Sequence, residues 1–151
     1  MARYSGVVRS IATPSTTDDN WGITAGASKS GKILEVHWGG EMTTSTAMCT
    51  RVARSSGQTG ATTTGNVAKL HPNAPTNGLA FETTFATTQP TLDAGDLFTE
   101  SWNAHGGVVR WLAAPGEEFV IIGAATETVI SCRNTVGTSG VSTYGTIWEE
   151  D

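Results

Sequence analysis

The stretch that decides the fold runs from Gly106 to Gly123: Gly-Gly-Val-Val-Arg-Trp-Leu-Ala-Ala-Pro-Gly-Glu-Glu-Phe-Val-Ile-Ile-Gly. Val108–Leu112 alternates as a half-buried strand does, and Phe119–Ile122 is a short apolar strand. Between them, Ala114–Glu117 has the chemistry of a type II turn. Proline in second place sets φ, and glycine in third place accepts φ > 0. The segment reads as one β-hairpin and marks the chain as β-rich.

Outward from it, the rest of the chain repeats short strand signals. Tyr4–Ala12 alternates, with Tyr4, Gly6, Val8 and Ser10 on one face. Gly22–Ala25 is a short strand. Lys32–Trp38 is the strongest signal in the first half, with Leu34, Val36 and Trp38 expected toward the core and Ile33, Glu35 and His37 on the other face. Ala47–Ala53, Leu79–Thr87 around Phe81 and Phe85, Leu97–Ala104, Thr128–Asn134 and Ser142–Glu149 follow. Residues 14–20 read as a polar turn, and residues 55–78 as a long irregular loop of the kind that is functional or flexible. No segment has a 3.6-residue apolar period, and no repeat recurs. Roughly eight short antiparallel strands joined by long polar loops predict an all-β single domain, a β-sandwich or jelly roll, over residues 1–151.

Composition agrees. Charged residues are 15% of the 151, and polarity comes from 25 Thr and 12 Ser. Threonine is β-branched and suits a pleated, half-exposed surface. Lysine is confined to Lys29, Lys32 and Lys69. The net charge of −5 and the scatter of Arg3, Arg9, Arg51, Arg54, Arg110 and Arg133 argue against nucleic-acid binding, which favours a basic patch. The acidic end Glu149-Glu150-Asp151 reads as a solvated terminus. No run approaches a membrane span, and the opening segment lacks the apolar core of a signal peptide, so a cytoplasmic start is expected. Cys49 and Cys132 fall in strands, as buried thiols or as a disulfide if those strands are neighbours.

No catalytic pattern emerges. His37, His71 and His105 lie far apart, whereas zinc ligands cluster at short spacing. Glu35 and His37 alternate on one strand and form a candidate ligand pair, but such residues are ordinarily exposed sheet side chains. Asp93 and Asp96 lack the ligand count of a calcium loop and read as turn caps. There is no nucleophile elbow and no glycine-rich phosphate loop. Glu35, Glu82 and Glu100 supply carboxylates without a pairing signal. The expectation is a protein that is not an enzyme and holds no cofactor or metal.

Trp21, Trp38, Trp102, Trp111 and Trp148 are expected mostly in core and interface packing. Trp21 sits among polar residues and is the best candidate for an exposed aromatic. Trp148 is a candidate interface anchor.

The segment Gly106–Phe119 resembles one found in small tailed-phage head proteins. So do the opening Met1-Ala2-Arg3-Tyr4 leading into a first strand, the run Lys32-Ile33-Leu34-Glu35-Val36, and the closing strand ending Trp148-Glu149-Glu150. The resemblance is to capsid decoration, or cement, proteins with a β-sandwich or jelly-roll body. It implies a structural virion protein on the outer head surface, assembled in the bacterial host cytoplasm. It implies a homotrimer whose partner is the major capsid protein, with no direct nucleic-acid or membrane contact. Ala2, Arg3, Tyr4, Trp21 and Trp148 are the candidate capsid or subunit contacts, tyrosine and arginine being favoured at interfaces. The alternative is a carbohydrate- or receptor-binding β domain of a phage tail or fibre, carried by Trp21 and the 55–78 loop.

Overall fold

The computed structural model describes residues 1–11, 15–56, 62–85, 88–123, 128–137 and 140–151. Ala12, Pro14, Ala86, Thr87, residues 57–61 and the side chain of Phe85 fall outside the described residues. The described residues form twelve antiparallel strands in two six-stranded sheets, a β-sandwich with no helix. They are β1 (Ala2–Ile11), β2 (Trp21–Thr24), β3 (Ser30–Gly40), β4 (Ala47–Ser56), β5 (Thr62–Thr64) and β6 (Val67–Lys69). Then come β7 (Ala80–Phe85), β8 (Thr91–Asn103), β9 (Val108–Leu112), β10 (Phe119–Ile122), β11 (Val129–Val136) and β12 (Ser142–Glu150). One sheet runs β10-β3-β12-β1-β6, with β9 also on β3; the other runs β5-β7-β2-β11-β4-β8. The count exceeds eight partly because the expected loop 55–78 contains β5 and β6. Each adds to a different sheet, so this segment crosses from one layer to the other.

The expected hairpin is corrected. Its turn is real: the Glu117 amide donates to the Ala114 carbonyl at 2.9 Å, and Gly116 has φ +89°. Its two strands do not pair with each other. β9 pairs antiparallel with Glu35–Gly39, and β10 with Ser30–Ile33. The two therefore run in the same direction, end to end along one side of β3. The turn bulges out between them. Trp111 and Phe119 stack at 4.0 Å and 10° and close the neck of this excursion. Burying two aromatic faces against each other gives the segment a stable form without a hairpin ladder.

The core of β3 is also corrected. Ile33 is fully buried and Leu34 is not, while Val36 and Trp38 are buried as expected. Against β12 the register shifts between Ile147 and Trp148, so that Ile147 faces Glu35 and Trp148 faces Ile33. Leu34 is the extra residue of this bulge, and an extra residue reverses the side-chain alternation.

Between the layers runs a column of rings. Tyr4 stacks on Trp148 at 5.8 Å, Trp148 on Phe81 at 5.9 Å, and Phe81 tilts against Trp21 at 6.3 Å. Gly6 lies beneath Phe81, where a Cβ would come within 2.7 Å of the ring. Beyond the column, Asn134 ties the interior together. Its Oδ1 accepts bonds from Asn20 Nδ2 (3.1 Å), Thr50 Oγ1 (2.8 Å) and Tyr144 Oη (3.1 Å). Thr50 Oγ1 in turn accepts from Trp102 Nε1 at 3.0 Å. Cys49 and Cys132 are free. Their strands β4 and β11 are neighbours, but Cys132 faces Val52 and Cys49 faces Val136.

Candidate binding surface at the β1–β12 end

The first and last strands lie side by side, with Ala2 opposite Glu150, Arg3 opposite Glu149 and Tyr4 opposite Trp148. This brings four of the five sequence-selected residues together. Trp21 lies deeper, at the far end of the ring column. The selected residues divide by exposure. Tyr4, Trp21 and Trp148 are wholly buried, which overturns the expectation that Trp21 is exposed. Ala2 and Arg3 reach the surface, Arg3 with 60% of its side chain exposed.

The segment after β6 completes the surface. The Leu70 amide donates to the Arg3 carbonyl at 3.0 Å. A turn follows, with the Ala74 amide on the His71 carbonyl and Lys69 Nζ on the Ala74 carbonyl at 2.7 Å. Tyr4 Oη donates to the Pro75 carbonyl at 3.0 Å. Burial and the nearby Glu150 carboxylate hold the Tyr4 hydroxyl above its ordinary pKa, so it stays a donor. Asn77 Nδ2 donates to the Leu79 carbonyl at 2.7 Å.

Glu150 is the clamp of this arrangement. Its carboxylate accepts the Gly78 amide at 2.6 Å, the Leu79 amide at 3.1 Å and Trp148 Nε1 at 2.9 Å. Hydrogen bonds to a charged acceptor are the stronger kind. Glu149 pairs with Arg3 Nε at 2.8 Å, and Asp151 accepts from Ser30 Oγ at 3.1 Å. The acidic end is therefore tied into the fold, in contrast to the solvated terminus expected from sequence.

The result is an open groove of about 560 Å³ between the start of β1 and the 70–75 turn. Its floor is held by the bonds above. Its rim carries Leu70, half exposed, and the side chain of Met1. Arg3, Asn73 and Glu149 supply polar contacts. Such a mixture of exposed aliphatic groups and a few fixed polar ones suits protein recognition.

The other candidates stand apart from this groove. Glu35 and His37 lie on the outer face of β3, with His37 Nδ1 3.3 Å from Glu35 Oε1. Arg110 Nε and Nη2 each donate to Glu35 at 2.8 Å. That bidentate bond is the main reason the Glu35 carboxyl sits below its ordinary pKa. His71 lines the groove, whereas His105 Nδ1 lies 2.9 Å from the Met42 carbonyl. Asp96 pairs with Arg51 and accepts from Thr99. Among the described residues, no three His, Cys, Asp or Glu side chains converge as a metal site. The sequence reading missed the 70–75 turn and Glu150. Pro72 and Asn73, the central residues of the turn closed by the Ala74 amide on the His71 carbonyl, were the available signal.

Comparison with known protein families, with curated proteins and with solved structures finds no match.

Proposed function

We propose that this chain is a structural, non-catalytic protein of a phage head. It binds the outer surface of the shell and cements neighbouring major capsid subunits. The resemblance of Gly106–Phe119, of the opening residues and of the closing strand supports this reading. The observation that carries it is the groove at Ala2, Arg3 and Leu70, where exposed aliphatic and polar groups are held by the Leu70–Arg3 backbone bond, the Tyr4–Pro75 bond and the Arg3–Glu149 ion pair. A rigid contact loses little entropy on binding, so a small surface suffices when copies act together. The resemblance implies that they act as homotrimers. The alternative, a glycan- or receptor-binding domain of a tail or fibre, rested on Trp21 and the 55–78 loop, and of these Trp21 is buried.

Immunogold electron microscopy on particles of the virus that carries this chain tests the reading. Regular labelling of the head is expected. Labelling confined to the tail, or none on particles from cells that express the protein, overturns it. Arg3→Gln and Leu70→Asp then test the groove. Both change exposed side chains, so head labelling falls while the near-ultraviolet circular dichroism of the purified chain is unchanged.

A further inference from the structure

The sheet edges are not treated alike. β5 and β6 are three residues long. β8 is broken by register shifts and carries Asp93, Asp96 and Glu100. In β10 the Val120 carbonyl is taken by Arg54 Nη1 at 2.7 Å. Short strands, bulges, charges and covered carbonyls are the usual means of keeping an edge from pairing with another chain.

β9 is two residues longer than β5 and β6, its register against β3 is unbroken, and its one charge, Arg110, is held by Glu35. The Gly40 amide bonds to the Gly107 carbonyl, and the Ala113 amide to the Leu34 carbonyl. These bonds, with the register against β3, turn residues 109 and 111 inward. Alternation then turns the backbone N–H and C=O of Val108, Arg110 and Leu112 outward. Among the described residues no strand meets them. Their side chains share the outer face, with Val108 78% and Leu112 63% exposed.

We propose that β9 pairs antiparallel with β9 of a second copy of this chain, about a two-fold axis at Arg110. The strand is self-complementary in that register. Val108 of each copy faces Leu112 of the other, and each facing pair exchanges two backbone hydrogen bonds. Arg110 meets its own copy, an arrangement that ordinarily repels. Here Glu35 resolves it. The bidentate bond neutralises the guanidinium and draws it back over β3, away from the seam. An apolar, charge-cancelled strand is left at the edge, and it fits its own image. The strand is five residues long, so the interface is small and the association weak and reversible. This inference concerns a different surface from the groove and does not depend on the head reading. Its two-fold symmetry also departs from the three-fold order that the resemblance implies.

Sedimentation velocity on the full chain, from micromolar to millimolar loading, tests it. The mass is expected to rise from one copy toward two. Leu112→Lys and Val108→Lys place an ammonium in each apolar pair and weaken association by about tenfold or more. Ile122→Lys, exposed on β10 outside the pairing, leaves it unchanged. Under dimer conditions, amide exchange slows at residues 108, 110 and 112. A single copy at every concentration overturns the inference, as does a three-copy particle. So does a dimer indifferent to both lysines.

Discussion

Asn134→Ala is expected to cost about 3–5 kcal/mol, a large share of the roughly 5–15 kcal/mol by which a domain is stable. The magnitude follows from what the side chain holds. Asn134 Oδ1 accepts bonds from Asn20, Thr50 and Tyr144, and Nδ2 donates to the Gly137 carbonyl at 3.2 Å. Asn20, Thr50, Tyr144 and Asn134 are all buried. Alanine leaves the Asn20 amide and the Tyr144 hydroxyl without their acceptor, at about 1–3 kcal/mol for each buried donor. Thr50 loses its acceptor too but keeps its bond from Trp102. The rest of the loss comes from the cavity. These donors come from both sheets, since Tyr144 lies on β12 and Thr50 on β4. The loss therefore acts on the whole sandwich rather than on one strand. Urea unfolding followed by tryptophan fluorescence reads it as a lower midpoint at unchanged slope. Asn134→Leu keeps the volume but offers no acceptor, and so separates acceptor loss from cavity loss. A loss below about 1 kcal/mol for Asn134→Ala at unchanged slope refutes the reasoning, since it means these donors are not held by Asn134 in the folded state.

Three further outcomes follow. Asp19, buried against Arg133 at 2.7 Å, has its pKa pushed up to about 6, chiefly by burial. The native state therefore binds a proton between about pH 4 and 6 that the unfolded chain releases. This contribution to stability is fully present below about pH 4 and lost as pH rises through 6, about 3 kcal/mol in all. Asp19→Asn flattens that part of the pH profile of urea midpoints, and parallel profiles for the two proteins count against the assignment. Gly40→Ala places a Cβ 2.1 Å from the Ala104 carbonyl oxygen and is expected to lose about 2 kcal/mol or more. Gly116→Ala meets open space and loses only the roughly 1–2 kcal/mol of a left-handed residue, so thermal melts that fail to rank the two contradict the packing described. Glu150→Ala frees the Gly78 and Leu79 amides, whose exchange quickens while that of the β11 amides does not.

How much of this was legible in the sequence depends on whether the deciding physics was local. Most strand positions were, because alternation is written residue by residue, and the two-layer all-β class follows from it; β5, β6 and the start of β8, read as loop and turn, were not. The Pro115-Gly116 turn was legible for the same reason. Its consequence was not, since turn chemistry says nothing about whether the flanking strands find each other or a third strand. Here β3, at eleven residues, is long enough to take both β9 and β10 along one side. The phase of β3 was hidden because the bulge at Leu34 is fixed by β12, more than a hundred residues away.

Trp21 shows the limit for site residues most clearly. Its neighbours Asp19 and Asn20 are polar, and polarity in sequence reads as surface. In the fold both are buried, Asp19 with one carboxylate oxygen on Arg133 and Asn20 with its amide on Asn134, both partners on β11, and Trp21 follows them inward. The same logic governs the β1–β12 end. Glu149, Glu150 and Asp151 look like a solvated cluster until Arg3, the 78–79 amides and Ser30 are brought to them by sheet pairing. Where a polar residue's partner is distant in sequence, composition misplaces it. Such residues set the groove wall at Arg3 and Glu149 and, through Glu35 and Arg110, the character of the β9 edge. Both surfaces proposed for recognition thus rest on charges that long-range pairing has already satisfied, leaving aliphatic groups such as Leu70, Val108 and Leu112 for a partner to cover.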